Sequence, residues 1–350
     1  MTTARRLIHL SIPLLLMGLL LTGCEGALLV HEPRGWRAAV LSQIGWIMYA
    51  MATAVSAVVF LALFWALFRP RPRNPDPSES PIAAARVERG GARATFWVVM
   101  GGIVMPVPIL LIVAGLNFWG MTALSAPPRP PAVVVEIIGN QFWWEVRYPA
   151  YGIVTANEVH IPSGVPVEIR LTSDDVIHSF WAPQVHGKLD LVTGKVNPLY
   201  VQVDQPGIYQ GFCAEYCGIQ HAKMLFLVIA ESPPDFETWV TLQRRPARDP
   251  FGPTADSLVQ RGAQVFNREG CINCHAIHVG SGRVGGQLGP DLTHLASRRT
   301  IGAGILENSI GNLGGWILNS QAIKPGNRMP PQPMDGESLQ ALLAYLATLE

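Results

Sequence analysis

Two long apolar stretches, residues 39–68 and 94–121, constrain most strongly what this chain can fold into. An α-helix of ~20 apolar residues, at ~1.5 Å per residue, crosses the ~30 Å hydrocarbon core of a bilayer. Both stretches are longer than this, and both lack the charged residues that a half-exposed soluble helix would carry. We therefore expect a two-helix transmembrane hairpin, with a pair of buried soluble helices as the alternative.

The segment between these stretches, residues 69–93, is rich in arginine. Because cytoplasmic loops carry an excess of Lys and Arg, this loop is expected in the cytoplasm. Both ends of the chain would then face the outer side of the membrane. The expected location is the bacterial inner (plasma) membrane, crossed twice, with the remaining domains on the periplasmic or outer side.

Residues 1–23 have the layout of a signal peptide, in which two arginines precede an apolar run and small residues precede the cut. The ending Leu-Thr-Gly-Cys resembles a bacterial lipoprotein signal, which implies cleavage before Cys24 and lipid attachment to its sulfur. The alternative is an ordinary buried or free cysteine in an uncleaved first helix. Residues 24–38 would lie on the outer side as a short N-terminal segment.

A cluster of metal-binding side chains follows further along the chain. Cys213, Cys217, His221 and Met224 fall within twelve residues, and His178 lies in an apolar, strand-like stretch upstream. Sulfur ligands combined with imidazole select copper, zinc or iron-sulfur clusters, and one Cys with two His and a Met is typical of a single blue copper. Because a second thiolate can bridge two ions, the pattern predicts a copper pair, with one imidazole on each ion.

Three other interpretations of these residues remain open. A structural zinc ion could take the two cysteines and the two histidines in a tetrahedral site. A disulfide between Cys213 and Cys217 is compatible with an oxidising compartment but leaves Met224 and His178 unexplained. A thioredoxin-like copper-delivery protein would need alternating strands and helices, whereas the flanking sequence predicts strands.

A second cofactor motif lies near the C-terminus. Cys271 and Cys274 precede His275 in the attachment pattern of c-type haem, in which two thiols bind the haem covalently and the imidazole binds the iron. Methionine is the usual second axial ligand when the task is electron transfer. Met329, in a loop rich in proline and glycine, is the expected ligand, and Met334 is the weaker candidate.

The remaining sequence divides into two soluble domains. Residues 131–233 form Val-, Ile- and Tyr-rich runs separated by Gly, Pro and Asn, which predicts an antiparallel sandwich or barrel. A linker at 234–253 precedes a small helical haem domain at 254–350, with helices expected at 255–266 and 338–349. The expected strands are residues 132–138, 142–148, 158–161, 166–173, 198–203, 207–211 and 224–230.

Three segments, residues 139–144, 175–181 and 211–224, resemble the motifs of subunit II of haem-copper cytochrome c oxidases. The whole chain resembles the caa-type, whose subunit II carries a fused cytochrome c. The resemblance implies a multidomain membrane protein with a two-helix transmembrane hairpin, an all-β cupredoxin-like Greek-key barrel and a small all-α class I cytochrome c domain.

The resemblance also implies a set of ligands for the binuclear copper centre called CuA. These ligands are His178, Cys213, Cys217, His221, Met224 and the backbone carbonyl of Glu215. In the family the Glu215 side chain would also reach a magnesium ion at the border with subunit I. Asp190 resembles an acidic position near that border, but Thr193 replaces the proline expected after it, so Asp190 receives no metal role.

The function implied is electron transfer, with the chemistry elsewhere. Electrons would pass from haem c to CuA and on to subunit I, where oxygen is reduced to water, and this chain would contribute no catalytic residue. The expected partners are subunit I, subunit III, cytochrome c or another donor, and the lipid membrane. No nucleic acid is expected, although the net charge of +1 says little about partners. The alternatives are the small subunit of a nitric oxide reductase with the same copper site, and a membrane-bound copper-delivery protein.

Aromatic residues and histidines near these motifs are expected to relay electrons or to have structural roles. Trp143 and Trp144 are candidate electron relays, although packing inside the sandwich explains them equally well. Phe142 stands where relatives that receive electrons from a separate cytochrome c have a relaying tryptophan. A tethered haem has a high effective concentration near its acceptor, which makes a docking aromatic less necessary. His160 and His186 are expected to be hydrogen-bonded structural groups.

Overall fold

The computed structural model describes residues 29–70, 91, 93–125, 127, 129–280 and 282–350. The predicted signal peptide, Cys24 and most of the arginine-rich loop lie outside the described residues.

Both apolar stretches form long helices. The first helix, α1, is Trp36–Phe68, and the second spans Arg93–Leu124, so each is a few residues longer than predicted. The second contains a π-helical turn at Met100–Val104 and continues as α2, Pro106–Leu124. Most of their apolar side chains are exposed. By length and composition, both helices are able to cross a membrane.

Residues 131–233, which carry the predicted copper ligands and are called the copper domain below, form a sandwich of two five-stranded sheets. Its strands are β1 (Val133–Asn140), β2 (Trp143–Tyr148), β3 (Ile153–Ala156), β4 (Glu158–Pro162), β5 (Val167–Ser173), β6 (His178–Trp181), β7 (Leu189–Leu191), β8 (Asn197–Val201), β9 (Gly207–Cys213) and β10 (Leu225–Glu231). The first sheet has the order β3-β2-β1-β5-β8, and the second has the order β4-β10-β9-β6-β7. All seven predicted strands are present. Sequence reasoning missed β3 and β7, and recognised β6 only as a strand-like stretch.

Alternating side chains place the core of the sandwich between the two sheets. In β5, Val167, Ile169 and Leu171 are buried while Glu168 and Arg170 point outward, as expected for a strand with one face in the core. The sheets are not purely antiparallel as predicted, because β1 pairs with β5 and β4 pairs with β10 in parallel. Parallel neighbours need crossover connections, which sequence alternation alone does not reveal.

The stretch predicted as a linker, residues 234–253, begins within a helix, α3 (Pro233–Gln243). The hydroxyl of Ser232 accepts a hydrogen bond from the Asp235 amide and so caps the helix. Phe236 and Val240 are buried in the sandwich core. The first half of this stretch is therefore part of the copper domain.

Among the described residues of 254–350, the haem domain has three α-helices. They are α4 (Ser257–Arg268), α5 (Ile310–Ile323) and α6 (Gly336–Leu346). Helices α4 and α6 cross at Gly262, where an added Cβ would lie 2.0 Å from the Ala341 carbonyl oxygen. Sequence reasoning missed α5, whose three glycines disfavour a helix. Two short hairpins, β11–β12 (Ala276–Val279, Gly282–Gly285) and β13–β14 (Thr300–Ile301, Leu306–Glu307), add strands to this helical domain.

The haem domain packs directly against the copper domain along a surface that we call the seam. The buried Glu158 carboxylate accepts hydrogen bonds from the backbone amides of Arg299 (2.7 Å) and Thr300 (3.0 Å). The Leu225 amide, at the start of β10, donates to the Ala303 carbonyl at 3.0 Å. The seam therefore joins strands β4 and β10 of the second sheet to the β13–β14 hairpin of the haem domain.

Candidate metal centre and haem cavity

The second sheet gathers the predicted copper ligands at one end. Strand β6 begins at His178, and its Phe180 pairs with Cys213 at the end of β9. The Cys213 amide donates to the Met224 carbonyl at 2.9 Å, which aligns the start of β10 with the end of β9. The loop between β9 and β10 carries the remaining ligands, so hydrogen bonds between strands determine where the side chains meet.

Five side chains converge in the geometry expected for a pair of ions. The two sulfurs of Cys213 and Cys217 are 3.8 Å apart. The Cys213 sulfur lies 3.9 Å from Nδ1 of His178, and the Cys217 sulfur lies 3.9 Å from Nδ1 of His221. The Met224 sulfur is 3.9 Å from that of Cys217. Each thiol therefore has its own imidazole.

This arrangement fits two ions better than one zinc ion. The donor atoms of His178, Cys213 and Cys217 all lie within 4.8 Å of one another, and His221 falls outside that group. The four groups therefore do not converge on one tetrahedral point. Both cysteines are free, so the disulfide interpretation is not realised.

Burial and the ionisation of the Cys213 thiol favour the binding of a cation at the two sulfurs. They are 4% and 3% exposed, and hydrogen bonding to Cys217 and His178 lowers the pKa of Cys213 to about 3. The neighbouring Cys213 sulfur and burial raise the pKa of Cys217. One of the pair therefore ionises easily while the other keeps its proton, unless a bound metal supplies positive charge and deprotonates both.

A carboxylate that sequence reasoning overlooked holds His178 in place. Nε2 of His178 hydrogen-bonds to Oδ1 of Asp175 at 2.9 Å, which leaves Nδ1 facing Cys213. Asp175 Oδ2 accepts from the Gln141 amide at 2.7 Å. Metal-binding histidines usually have such a carboxylate partner, so an acid three residues before the histidine was an available signal.

Two further residues before β2 shape the centre. The Gln141 side-chain amide donates to the Cys217 carbonyl at 2.6 Å. A Cβ on Gly139 would lie 2.7 Å from Cδ2 of His178, so only glycine leaves room for the imidazole. The segment before β2 therefore supports the metal loop, although it contributes no ligand.

The two tryptophans predicted as relays lie on opposite faces of β2. Trp144 is in the sandwich core, 5.9 Å from the His178 ring. Trp143 packs with Ala156 and Ala303 and lines a cavity between the two domains. Trp144 thus contacts the copper site, and Trp143 faces the haem domain.

That cavity, of about 430 Å³, contains the haem motif. Cys271, Cys274 and His275 line one side, and Met329 lines the cavity as well. Met334 packs in the haem domain's core and is not among the lining residues. An apolar cavity with a few polar groups is the usual form of a cofactor site.

The loop after the second cysteine fixes the His275 ring. Nδ1 of His275 donates to the Pro290 carbonyl at 2.8 Å, so Nε2 is free for iron. A Cβ on Gly289 would lie 2.5 Å from Cε1 of His275. Burial lowers the pKa of His275, which keeps the imidazole neutral as a metal ligand requires.

Comparisons with known proteins decide the family. A family described as "Cytochrome C oxidase subunit II, periplasmic domain" matches residues 153–231, and one described as "Cytochrome c" matches residues 259–350. A cytochrome c oxidase subunit 2 from Alkalihalophilus pseudofirmus is 34% identical over 347 residues, covering 97% of this chain and 96% of the relative. The chain belongs to the cytochrome c oxidase subunit 2 family. Subunits 2 from Bacillus sp. strain PS3 and Bacillus subtilis are 34% and 32% identical over 71% of the chain.

The family membership confirms the resemblance drawn from the sequence, including the C-terminal cytochrome c domain. The subunit 2 domain implies the copper pair, and the cytochrome c domain implies haem c. Both groups fit the residues present, since two buried thiols and two imidazoles converge at one site and the haem motif lines an apolar cavity. The chain is thus part of an oxidoreductase complex.

Two acidic residues named in the sequence analysis, Glu215 and Asp190, are partly exposed. The Glu215 carbonyl is 3.1 Å from the Cys213 sulfur, close to the predicted copper pair. Its carboxylate, 44% exposed, forms an ion pair with Lys188 at 3.6 Å. Asp190 pairs with Ser179 between β6 and β7, and its carbonyl accepts from Asn197.

Proposed function

We propose that this chain receives electrons for a terminal cytochrome c oxidase, passing them from covalently bound haem c to the CuA pair and on to subunit I, where oxygen is reduced to water. Haem c and CuA, when bound, supply reversible one-electron chemistry. The chain's own residues would hold both groups with side-chain and backbone ligands, and burial keeps water from the two thiols.

One observation carries the proposal. The cavity that contains Cys271, Cys274 and His275 is also lined by Phe142 and Trp143 of the copper domain. A haem held there would contact the segment that supports the metal loop. An electron could then cross the seam without a separate docking step, which also explains why the chain has Phe142 in place of a docking tryptophan.

The residues that would hold each group are the predicted ones, and the geometry supports them. For copper they are His178, Cys213, Cys217, His221, Met224 and the Glu215 carbonyl. For haem, Cys271 and Cys274 would form the covalent bonds, and His275 and Met329 would be the axial ligands. Methionine opposite histidine suits electron transfer, because it raises the iron potential and leaves no open position.

The two apolar helices support a membrane location, with the copper and haem domains on the outer side. Cys24 would carry the lipid, outside the described residues. We expect subunits I and III as partners and a cytochrome c or another carrier as the donor. Glu215, with its partly exposed carboxylate, is the residue proposed to reach a magnesium ion at the border with subunit I.

Metal analysis of the purified complex tests this function. We expect a pair of copper ions for each haem c, and a near-infrared copper absorption that is lost in Cys217→Ser. Tyr216→Phe is the control, because Tyr216 lies in the same loop, 75% exposed, with its ring against His221. Zinc, or one copper ion, at this loop would contradict the proposal.

The terminal reaction needs its own measurement. Oxygen uptake by the complex should exceed its consumption of nitric oxide, whereas the reverse would favour the nitric oxide reductase alternative. Reversible binding of one copper ion without a requirement for haem would favour the copper-delivery alternative.

A further inference from the structure

Lys324 is a lysine buried between the copper and haem domains. It follows α5 and is 2% exposed. Its ammonium donates to the Phe142 carbonyl at 2.8 Å and to the Gly302 carbonyl at 3.2 Å. Phe142 belongs to the copper domain and Gly302 to the haem domain, so one cation bonds to the backbone of both.

This cation has no carboxylate partner among the described residues. Burial lowers the pKa of Lys324 to about 7, which shows how unfavourable the position is for a charged group. A methionine or leucine would fill the same space without this desolvation. The lysine therefore contributes something other than core packing, namely donors directed at carbonyls on both sides of the seam.

Both ends of this contact lead to a predicted redox site. On the haem side, Asn327 donates through Nδ2 to the Lys324 carbonyl at 2.7 Å and accepts through Oδ1 from the Met329 amide at 2.8 Å. On the copper side, Gln141 precedes Phe142 and donates to the Cys217 carbonyl at 2.6 Å. Hydrogen bonds and short lengths of chain through Lys324 thus connect Met329, the predicted haem ligand, with Cys217, a predicted copper ligand.

We infer that Lys324 is the positioning residue that fixes the haem domain against the copper domain for electron transfer between them. This inference rests on the proposed function. One electron would leave the haem iron and the same electron would reduce the copper pair, with no covalent bond formed or broken. Because electron transfer slows steeply with separation, a residue that maintains the seam controls the rate without contacting either metal.

Other seam contacts do not replace this one. Lys223 donates to the Ile323 carbonyl at 2.7 Å, and Glu158 accepts from two amides of the haem domain. Arg328 reaches Gln141 and Asp175 at 3.2 Å each, but its side chain is 57% exposed and its ion pair is screened by water. Among these residues, only Lys324 donates to the backbone carbonyl of Phe142, the residue that follows Gln141.

The test is the rate of haem reoxidation by copper after rapid photoreduction of the purified oxidase complex. In Lys324→Met we expect full haem and copper content and a rate about tenfold lower, equal to about 1.4 kcal/mol in the barrier. Lys324→Arg, which keeps a cation and its donors, should lie closer to wild type. The control Lys195→Met removes an exposed lysine of the copper domain and should leave the rate unchanged.

Hydrogen exchange provides a second test, which does not depend on measuring electron transfer. Hydrogen exchange should accelerate at the Thr300 and Leu225 amides, which donate across the seam, while amides in the centre of β5 remain protected. If Lys324→Met does not retain haem, Lys324→Arg becomes the test variant. The inference then requires that Lys324→Arg binds both cofactors and keeps the Thr300 and Leu225 amides protected. A wild-type rate and unchanged exchange in the Met variant would overturn the inference. Absence of haem-to-copper transfer in the wild type would instead overturn the proposed function.

Discussion

Nε2 of His178 and Oδ1 of Asp175 lie 2.9 Å apart, so this carboxylate orients Nδ1 toward the sulfur of Cys213. Burial disfavours the charged imidazole, but hydrogen bonds to Cys213 and Asp175 outweigh it and raise the pKa of His178. Asp175 therefore controls both the direction of the ring and its basicity, although it is not itself a predicted ligand.

Replacing this carboxylate should weaken copper binding. Asp175→Asn keeps the shape but removes the negative charge, and loss of such a partner typically lowers metal affinity about 10–100-fold. Copper content after dialysis against a graded chelator series measures the effect. Asp174→Asn, an exposed neighbour, is the control; equal retention by the two variants would refute the role of Asp175.

Adding one methyl group at Gly139 should displace His178. The Cβ of Gly139→Ala would lie 2.7 Å from the imidazole, and overpacking of this kind destabilises a folded domain by about 1–3 kcal/mol. We expect a lower thermal unfolding midpoint and an altered copper spectrum. Gly311→Ala, with open space around its Cβ, should change neither. A normal copper spectrum in Gly139→Ala would show that the ring is not held in this position.

The choice between the two candidate axial methionines can be tested directly. Met329→Leu should open one face of the iron, because leucine fills the space but offers no ligand atom, so the reduced haem should bind carbon monoxide. Met334→Leu is the matched control and should leave the haem closed, since Met334 is not among the cavity-lining residues. Carbon monoxide binding by the Met334 variant alone would reverse the assignment.

A pH dependence follows from His186, which accepts from Arg37 at 3.2 Å and donates from Nδ1 to the Gly187 carbonyl at 2.8 Å. Burial, with the nearby Arg37 charge, lowers the pKa of His186 to about 4. In the unfolded chain this pKa is about 6.5, so the unfolded state binds the proton first and stability falls as the pH drops from about 6.5 to 4. The loss reaches about 3 kcal/mol at the acid end.

Thermal unfolding midpoints measured between neutral and acid pH check this dependence. His186→Gln should reduce the loss of folding stability in acid. His160 provides the contrast, because hydrogen bonds to Glu158 and Glu231 raise its pKa despite burial. Its contribution is present at low pH and fades as the pH rises, so His160→Gln should lose most stability in acid. Parallel profiles for the two variants would contradict both assignments.

The amino-acid sequence by itself determined the local features of this protein. The long apolar stretches, the haem motif and the residues from Cys213 to Met224 depend on spacings of a few residues, which identify a helix or a ligand set before any fold is known. The histidine farther upstream, His178, was also predictable, because its residue type completes the donor set.

Tertiary structure alone decided how these parts meet. Lys324 and Phe142 are 182 positions apart, and Glu158 and Arg299 are 141 apart, so no local pattern pairs them. The opposite orientations of Trp143 and Trp144 follow from the alternation of a strand, but which face meets the haem domain depends on how the domains pack. Spacing along the chain specifies which groups are available, whereas burial and hydrogen bonding between distant segments determine which of them touch.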